Sequence, residues 1–158
     1  MKEDVKRSAN SMWLCLPAIS VNEGVARATL AAFCAQCDPT VTELADIKCA
    51  VSEAVTNCIV HAYREKEGRI YITARLTRDG VRISVRDNGC GIADVEKARE
   101  PLYTTDAAGE RSGMGFTVME NFMDRLDVYS KEGKGTLVVM TKRLGQGSPD
   151  EDGAAGKE

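Results

Sequence analysis

The chain has 158 residues and a net charge of −3, which suits one domain with a real core and leaves no room for a second globular unit. No basic face stands out, so direct contact with nucleic acid is not expected. No apolar run approaches a membrane span, and Met1 to Asn10 lacks the apolar core of a signal peptide, so a cytoplasmic protein without membrane contact is expected.

Met12 to Leu16 reads as a first strand closed by Pro17. Ser20-Val21-Asn22-Glu23 has capping-box spacing and opens a helix to about Gln36. After the turn at Asp38-Pro39, a second such box, Thr40-Val41-Thr42-Glu43, starts a longer helix to about Tyr63. Leu44, Ile47, Val51, Ala54, Cys58 and Ala62 form its expected buried stripe. Two alternating segments follow, Arg69–Leu76 and Val81–Arg86, joined by a turn with Asp79-Gly80. Ile70, Ile72, Ala74 and Leu76 share one face of the first, and Val81, Ile83 and Val85 one face of the second, as half-buried strands require.

Beyond Arg86 lie a glycine-rich turn, a short helix over Asp94–Arg99, and a polar stretch from Pro101 to Ser112 without periodicity. A helix is expected from near Gly113 to Met123, then a hairpin over Leu126–Ser130 and Thr136–Lys142. From Gly145 on, nothing apolar remains to bury, so a disordered tail is expected over 145–158 and a single domain over 1–144. The order of elements predicts an α+β protein: a two-layer α/β sandwich with one mixed, mainly antiparallel sheet and helices on one face.

The six cysteines and the single histidine do not make a zinc pattern. Cys34 and Cys37 form a C-x-x-C pair with no second pair at metal spacing. Four of the six fall in apolar helical patterns, where free cysteine packs as a small hydrophobe.

Three places carry chemistry. Glu53, Asn57 and His61, at i, i+4 and i+8, stack beside the buried stripe of the long helix. An amide oxygen there can serve a hard cation, and a carboxylate can accept a proton from a hydroxyl; a solvated helix face has the same spacing. Asp87-x-Gly89-x-Gly91 stands at a strand end, where glycine admits close backbone approach and the carboxylate can accept from an exocyclic amine; a plain turn looks alike. Ser112-Gly113-Met114-Gly115-Phe116 opens a helix, whose free N–H groups favour phosphate. No Walker A loop is present, since Gly133-Lys134-Gly135-Thr136 reads as a hairpin turn, and neither is the H-R-D and D-F-G set of the protein kinase fold.

In this order, Glu53-Ala54-Val55-Thr56-Asn57, Asp87-Asn88-Gly89-Cys90-Gly91 and Arg111-Ser112-Gly113-Met114-Gly115-Phe116 resemble the N, G1 and G2 boxes of the GHKL ATPase/kinase superfamily. Within it, the chain is similar to the anti-sigma factor serine kinases of the sporulation type, over about residues 12 to 144. The run from Gly113 to Asp124 is the most specific part of the likeness, supported by Asp38-Pro39-Thr40 and by Pro101-Leu102-Tyr103-Thr104-Thr105.

The resemblance implies a GHKL (Bergerat) ATP-binding fold, ATP and Mg²⁺ as cofactors, and a protein serine/threonine kinase. Asn57 would hold Mg²⁺, Glu53 would orient or deprotonate the substrate hydroxyl, and Asp87 would recognise adenine in a pocket shaped by Gly89 and Gly91. Residues 101–112 would form a lid, with Thr104, Thr105 and Arg111 as its contacts. Ser112, Gly113, Met114, Gly115 and Phe116 would border the phosphates, and Thr136 would close the adenine pocket. Arg27 falls where the family contacts partner proteins. Those partners would be RNA polymerase sigma factor F and an anti-anti-sigma factor phosphorylated on serine, with the kinase itself a homodimer. Cys90 departs from the aliphatic residue expected in the G1 box. A sensor histidine kinase is disfavoured because His61 lies on the N-box helix, and larger GHKL ATPases need further domains. An ATP-binding protein without transfer, or a stress-response anti-sigma kinase, remains as an alternative.

Overall fold

The computed structural model describes residues 10–64, 66–102 and 114–145. In chain order the elements are β1 (Ser11–Pro17), α1 (Val21–Cys34), a 3₁₀ turn (Ala35–Cys37), α2 (Val41–Asn57), a π turn (Cys58–Ala62), β2 (Arg69–Leu76), β3 (Gly80–Asp87), α3 (Val95–Ala98), α4 (Gly115–Phe122), β4 (Arg125–Lys131) and β5 (Gly135–Arg143). The strands form one sheet in the order β1-β2-β3-β5-β4. Every pairing is antiparallel, where the sequence predicts a mixed, mainly antiparallel sheet. Each neighbouring pair in this order can be joined without a parallel crossover, because β4 and β5 form a hairpin that docks on β3 through β5.

Alternation places Ile70, Ile72, Ala74, Leu76, Val81, Ile83 and Val85 on the covered face, all buried. They pack with Leu30 of α1, Ile47, Val51 and Val55 of α2, and Phe116 and Met119 of α4 in one core. α2 lies between α1 and α4 and touches both. Among the described residues no helix covers the opposite face of the sheet: Trp13 on edge strand β1 is 85% exposed, and the Arg86 guanidinium stacks over the Tyr71 ring at 4.5 Å.

The two capping boxes behave differently. At Thr40 both reciprocal bonds form, Glu43 N–H to Thr40 Oγ1 at 3.1 Å and Thr40 N–H to Glu43 Oε2 at 2.8 Å. At Ser20 neither does: that residue is already helical in backbone and its side chain caps nothing. Glu23, the expected partner, is instead engaged by Ser52 of α2 and by Arg27. A tertiary contact has taken the carboxylate that the local motif needed.

The expected stripe on α2 also shifts. Ile47, Val51, Ala54 and Cys58 are buried, but Leu44 and Ala62 are only half-buried, and Ala50 and Val55 join the core. The π turn over Cys58–Ala62 inserts an extra residue into the helical phase and rotates Ala62 off the stripe. Cys34, Cys37 and Cys58 are buried, Cys15 and Cys49 exposed and Cys90 intermediate, and none of the six is in a disulfide. Burial, and then Cys37 beside it, pushes the Cys34 thiol up to about 12, so it packs as a hydrophobe. No described helix is long and apolar enough to cross a membrane. The expected tail beyond Gly145 lies outside the described residues.

Candidate functional site

A cavity of about 670 Å³ opens between α2 with its π turn, the segment after β3, α3, the start of α4, and β5. It gathers Glu53, Asn57, Asp87, Gly91, Met114, Gly115, Phe116 and Thr136 from four separate stretches of sequence. Thr104, Thr105, Arg111, Ser112 and Gly113 lie outside the described residues. Arg27 stands apart from the cavity, on α1, with its side chain 46% exposed and paired to Glu23 at 3.1 Å.

α2 positions Glu53 and Asn57 one turn apart, and α4 brings its first residue against both. A Cβ on Gly115 would stand 3.2 Å from Glu53 Oε2 and 3.3 Å from Asn57 Oδ1. The carboxylate and the amide therefore converge on the first turn of α4, whose backbone N–H groups lack helical partners. Carboxylate, amide oxygen and free N–H donors in one place suit a phosphate chain carrying a hard cation. Among the described residues no group of three or more His, Cys, Asp and Glu could hold a metal.

Asp87, the last residue of β3, is the one polar or charged residue buried among the described residues. Its Oδ1 accepts from Gly89 N–H at 2.9 Å and from Thr136 N–H at 3.3 Å. Burial raises its carboxyl above the usual range, opposed by donors from Gly89, Cys58 and Thr136. Burial first, then the charge of Asp87, pushes the Cys58 thiol well up.

The turn after Asp87 is clamped to the π turn. Cys90 N–H donates to the Ala62 carbonyl at 3.0 Å and its thiol to that of His61 at 3.3 Å. Side chains are excluded at both expected glycines: a Cβ on Gly89 would fall 2.4 Å from the Ala62 carbonyl oxygen, and one on Gly91 would fall 2.0 Å from that of Lys131. Gly91 also has φ +71°, a region that side chains disfavour. Thr136 bonds Ser130 through its hydroxyl at 2.8 Å, and Ser130 accepts from Ile92 N–H at 2.8 Å, so the cavity wall continues through the β4–β5 hairpin.

Sequence reasoning missed several lining residues, among them Cys58, Arg64, Lys97 and Glu132. Cys58 belonged to the buried stripe, and its neighbour Asn57 was the only local hint. Arg64 and Lys97 read as ordinary surface cations, with no signal of what they face.

The histidine kinase-like ATPase domain family matches residues 17–142. Anti-sigma F factor from Caldanaerobacter subterraneus subsp. tengcongensis is 58% identical over 137 residues, covering 87% of this chain and 96% of that protein. The chain belongs to the anti-sigma F factor family. Anti-sigma F factor of Bacillus subtilis is 52% identical over 136 residues, with 85% and 93% covered. Among solved structures, the RsbU and RsbW domains of Rv1364c from Mycobacterium tuberculosis superpose with a TM-score of 0.63 at 25% identity, over 85% of this chain and 32% of that longer one. A histidine kinase domain from Erythrobacter litoralis, at 20% identity and a TM-score of 0.51 over 77% of this chain and 61% of that one, shares the fold alone. The domain is thus a kinase-type ATPase that binds ATP, in the two-layer fold the sequence predicted.

Proposed function

We propose that the protein binds and inhibits sigma factor F and, with ATP and Mg²⁺, phosphorylates a serine of its anti-anti-sigma factor. The observation that carries this reading is the convergence of Glu53 and Asn57 on Gly115 at the start of α4, in the cavity that also holds Asp87. The names of its relatives support the sigma factor as a partner, and an anti-anti-sigma factor is the substrate that the resemblance of the N, G1 and G2 boxes implies.

The residues divide the work. Asp87 would accept a hydrogen bond from the adenine amine, with Gly89 and Gly91 keeping the turn close to the base. Met114, Gly115 and Phe116 would border the phosphates, together with Ser112 and Gly113, while Thr104, Thr105 and Arg111 would act from the lid. Asn57 would hold Mg²⁺, which neutralises phosphate charge when bound. Glu53 would orient the serine hydroxyl and take its proton as the serine oxygen bonds to the γ-phosphorus and ADP leaves. Such a reaction asks the protein for position and charge more than for covalent chemistry.

Arg27 would serve the partner surface. Its guanidinium is exposed on α1 and held by Glu23 beside Ser52, where a planar fork suits a carboxylate. The sheet face that no described helix covers, with exposed Trp13, supports a homodimer.

Purified protein with radiolabelled ATP-Mg²⁺ and the candidate anti-anti-sigma protein should yield labelled serine. Glu53→Gln should lower that transfer by about 100-fold or more and leave ATP affinity nearly intact. Substantial residual transfer would remove Glu53 from the base role, and label appearing on the protein's own His61 would overturn the serine kinase reading.

A further inference from the structure

Successive residues of a strand point to opposite faces of the sheet, so charges scattered along a chain can gather on one side. On the face away from the helices, β3 carries Arg82 and Arg86, β5 carries Arg143, and β4 carries Arg125 and Lys131. Arg75 of β2 stands directly opposite Arg82, a like-charge pair that repels unless an anion lies against it. The one carboxylate that β3, β4 and β5 place on this face, Asp127, is tied to Arg125 at 2.7 Å. The chain as a whole has a net charge of −3, so this side is basic against the balance of the molecule. Strand pairing thereby corrects the expectation that no basic face exists: its cations come from separate strands, and no run of sequence displays them together.

At one end of this face lies a cleft of about 330 Å³, lined by Arg86, Tyr129, Lys131, Lys134 and Leu137. Asp87 borders it too, but by alternation its carboxylate belongs to the other face, toward the nucleotide cavity. Tyr129 is 58% exposed and sits opposite Leu137 across the ladder. Lys131 and Lys134 are exposed, and among the described residues neither has a carboxylate partner.

We propose that the open face of β3, β5 and β4 binds single-stranded nucleic acid, its cations on the phosphates and the Tyr129 ring under a base. The ring decides among polyanions. A carboxylate-rich peptide would satisfy the cations and leave the ring without a stacking partner. A duplex presents phosphates but keeps its base faces inside the stack, whereas a single strand offers both together. The β1 end of the sheet, with Trp13, is left to a second copy of the chain.

Fluorescence anisotropy of labelled oligothymidylate with the full chain, at a series of salt concentrations, tests this. The wild type should bind, and log affinity should fall linearly with log salt. Arg82→Ala, Lys131→Ala and Lys134→Ala should each reduce that slope by about 0.7, the share of one phosphate contact on a single strand. Tyr129→Ala should weaken oligothymidylate about tenfold and Tyr129→Phe should not, because the ring and not the hydroxyl stacks. A DNA duplex of the same length should be indifferent to Tyr129→Ala, and Lys48→Ala, on exposed α2 surface, should leave every affinity unchanged. Absence of binding at low salt would overturn the proposal, as would a slope that none of the three cation variants alters. Polyglutamate displacing the oligonucleotide at equal charge, with Tyr129→Ala without effect, would assign the face to an acidic protein. Variants that shifted only the monomer–dimer equilibrium in sedimentation, with oligothymidylate affinity intact, would assign it to the second copy instead.

Discussion

Asp87 shows burial and use pulling in opposite directions. A carboxylate raised by desolvation costs the empty fold stability whenever it is ionised, and Gly89, Cys58 and Thr136 offset only part of that cost. The sign follows from linkage. The folded group binds its proton more tightly than the unfolded one, so its contribution is most favourable below the ordinary carboxylate pKa and is lost as pH rises through the raised value. Asp87→Asn should therefore unfold at neutral pH at a temperature no lower than the wild type, while ATP affinity falls. The gap in melting temperature should narrow as the pH drops toward the usual carboxylate range. A wild type that outlasts the variant at neutral pH, both without nucleotide, would show that the hydrogen bonds outweigh the burial. The same site should bind ATP well ahead of GTP, because a guanine carbonyl would face the carboxylate with no proton between them; equal binding in a competition assay would move base selection elsewhere.

Helix ends divide into those that fold by local rule and those recruited by tertiary contact. Thr40 caps α2 in full, so Thr40→Ala should cost about 1 kcal/mol of stability. Ser20 caps nothing, and Ser20→Ala should change the denaturation midpoint little; a loss as large as at Thr40 would contradict the geometry found at α1. At α4 the first residue lines the cavity. An added Cβ at Gly115 would press on Glu53 and Asn57 at 3.2 to 3.4 Å, so both would have to yield by a few tenths of an ångström. Gly115→Ala should fold normally, since alanine suits a helix better than glycine. Its phosphoryl transfer should fall by roughly ten- to a hundredfold through misplacement. Unimpaired transfer would mean that Glu53 and Asn57 tolerate the shift and that their contact with α4 is incidental.

At the scale of the whole molecule, Arg27 does not line the cavity but reaches Ser52 of α2, the neighbour of cavity-lining Glu53. A domain of this size that gives one pocket to nucleotide has limited room for two independent standard-sized protein interfaces. One surface around Arg27 should then serve both partners in turn. Arg27→Ala should weaken sigma factor and anti-anti-sigma binding alike, by about tenfold each if Arg27 is a central contact, with ATP affinity unchanged. Surface capture of both partners at once by one subunit would overturn the shared surface. A variant that lost only one partner would divide it.

The alternation in β2 and β3, the stripe of α2 and the working box at Thr40 were legible because each depends on near neighbours whose spacing is written into the chain. So were Asp87 and Gly91 of the cavity, which fall in one short motif with Gly89, whose glycines answer to close backbone approach. Other features had no local signature. The failure of the Ser20 box came from Ser52, 29 residues beyond Glu23 in the chain. The π turn that opens at Cys58 and swings Ala62 off the stripe is held in part by the turn after β3, through the bonds of Cys90 to the His61 and Ala62 carbonyls. Cys58 itself reads as a core residue from its spacing, and becomes a neighbour of Asp87 only when the helix layer is laid on the sheet. Periodicity reports which face of an element is apolar. What that face meets, and which polar group is buried along with it, depends on contacts between segments far apart in sequence, and here only the packing of helices on sheet decided it.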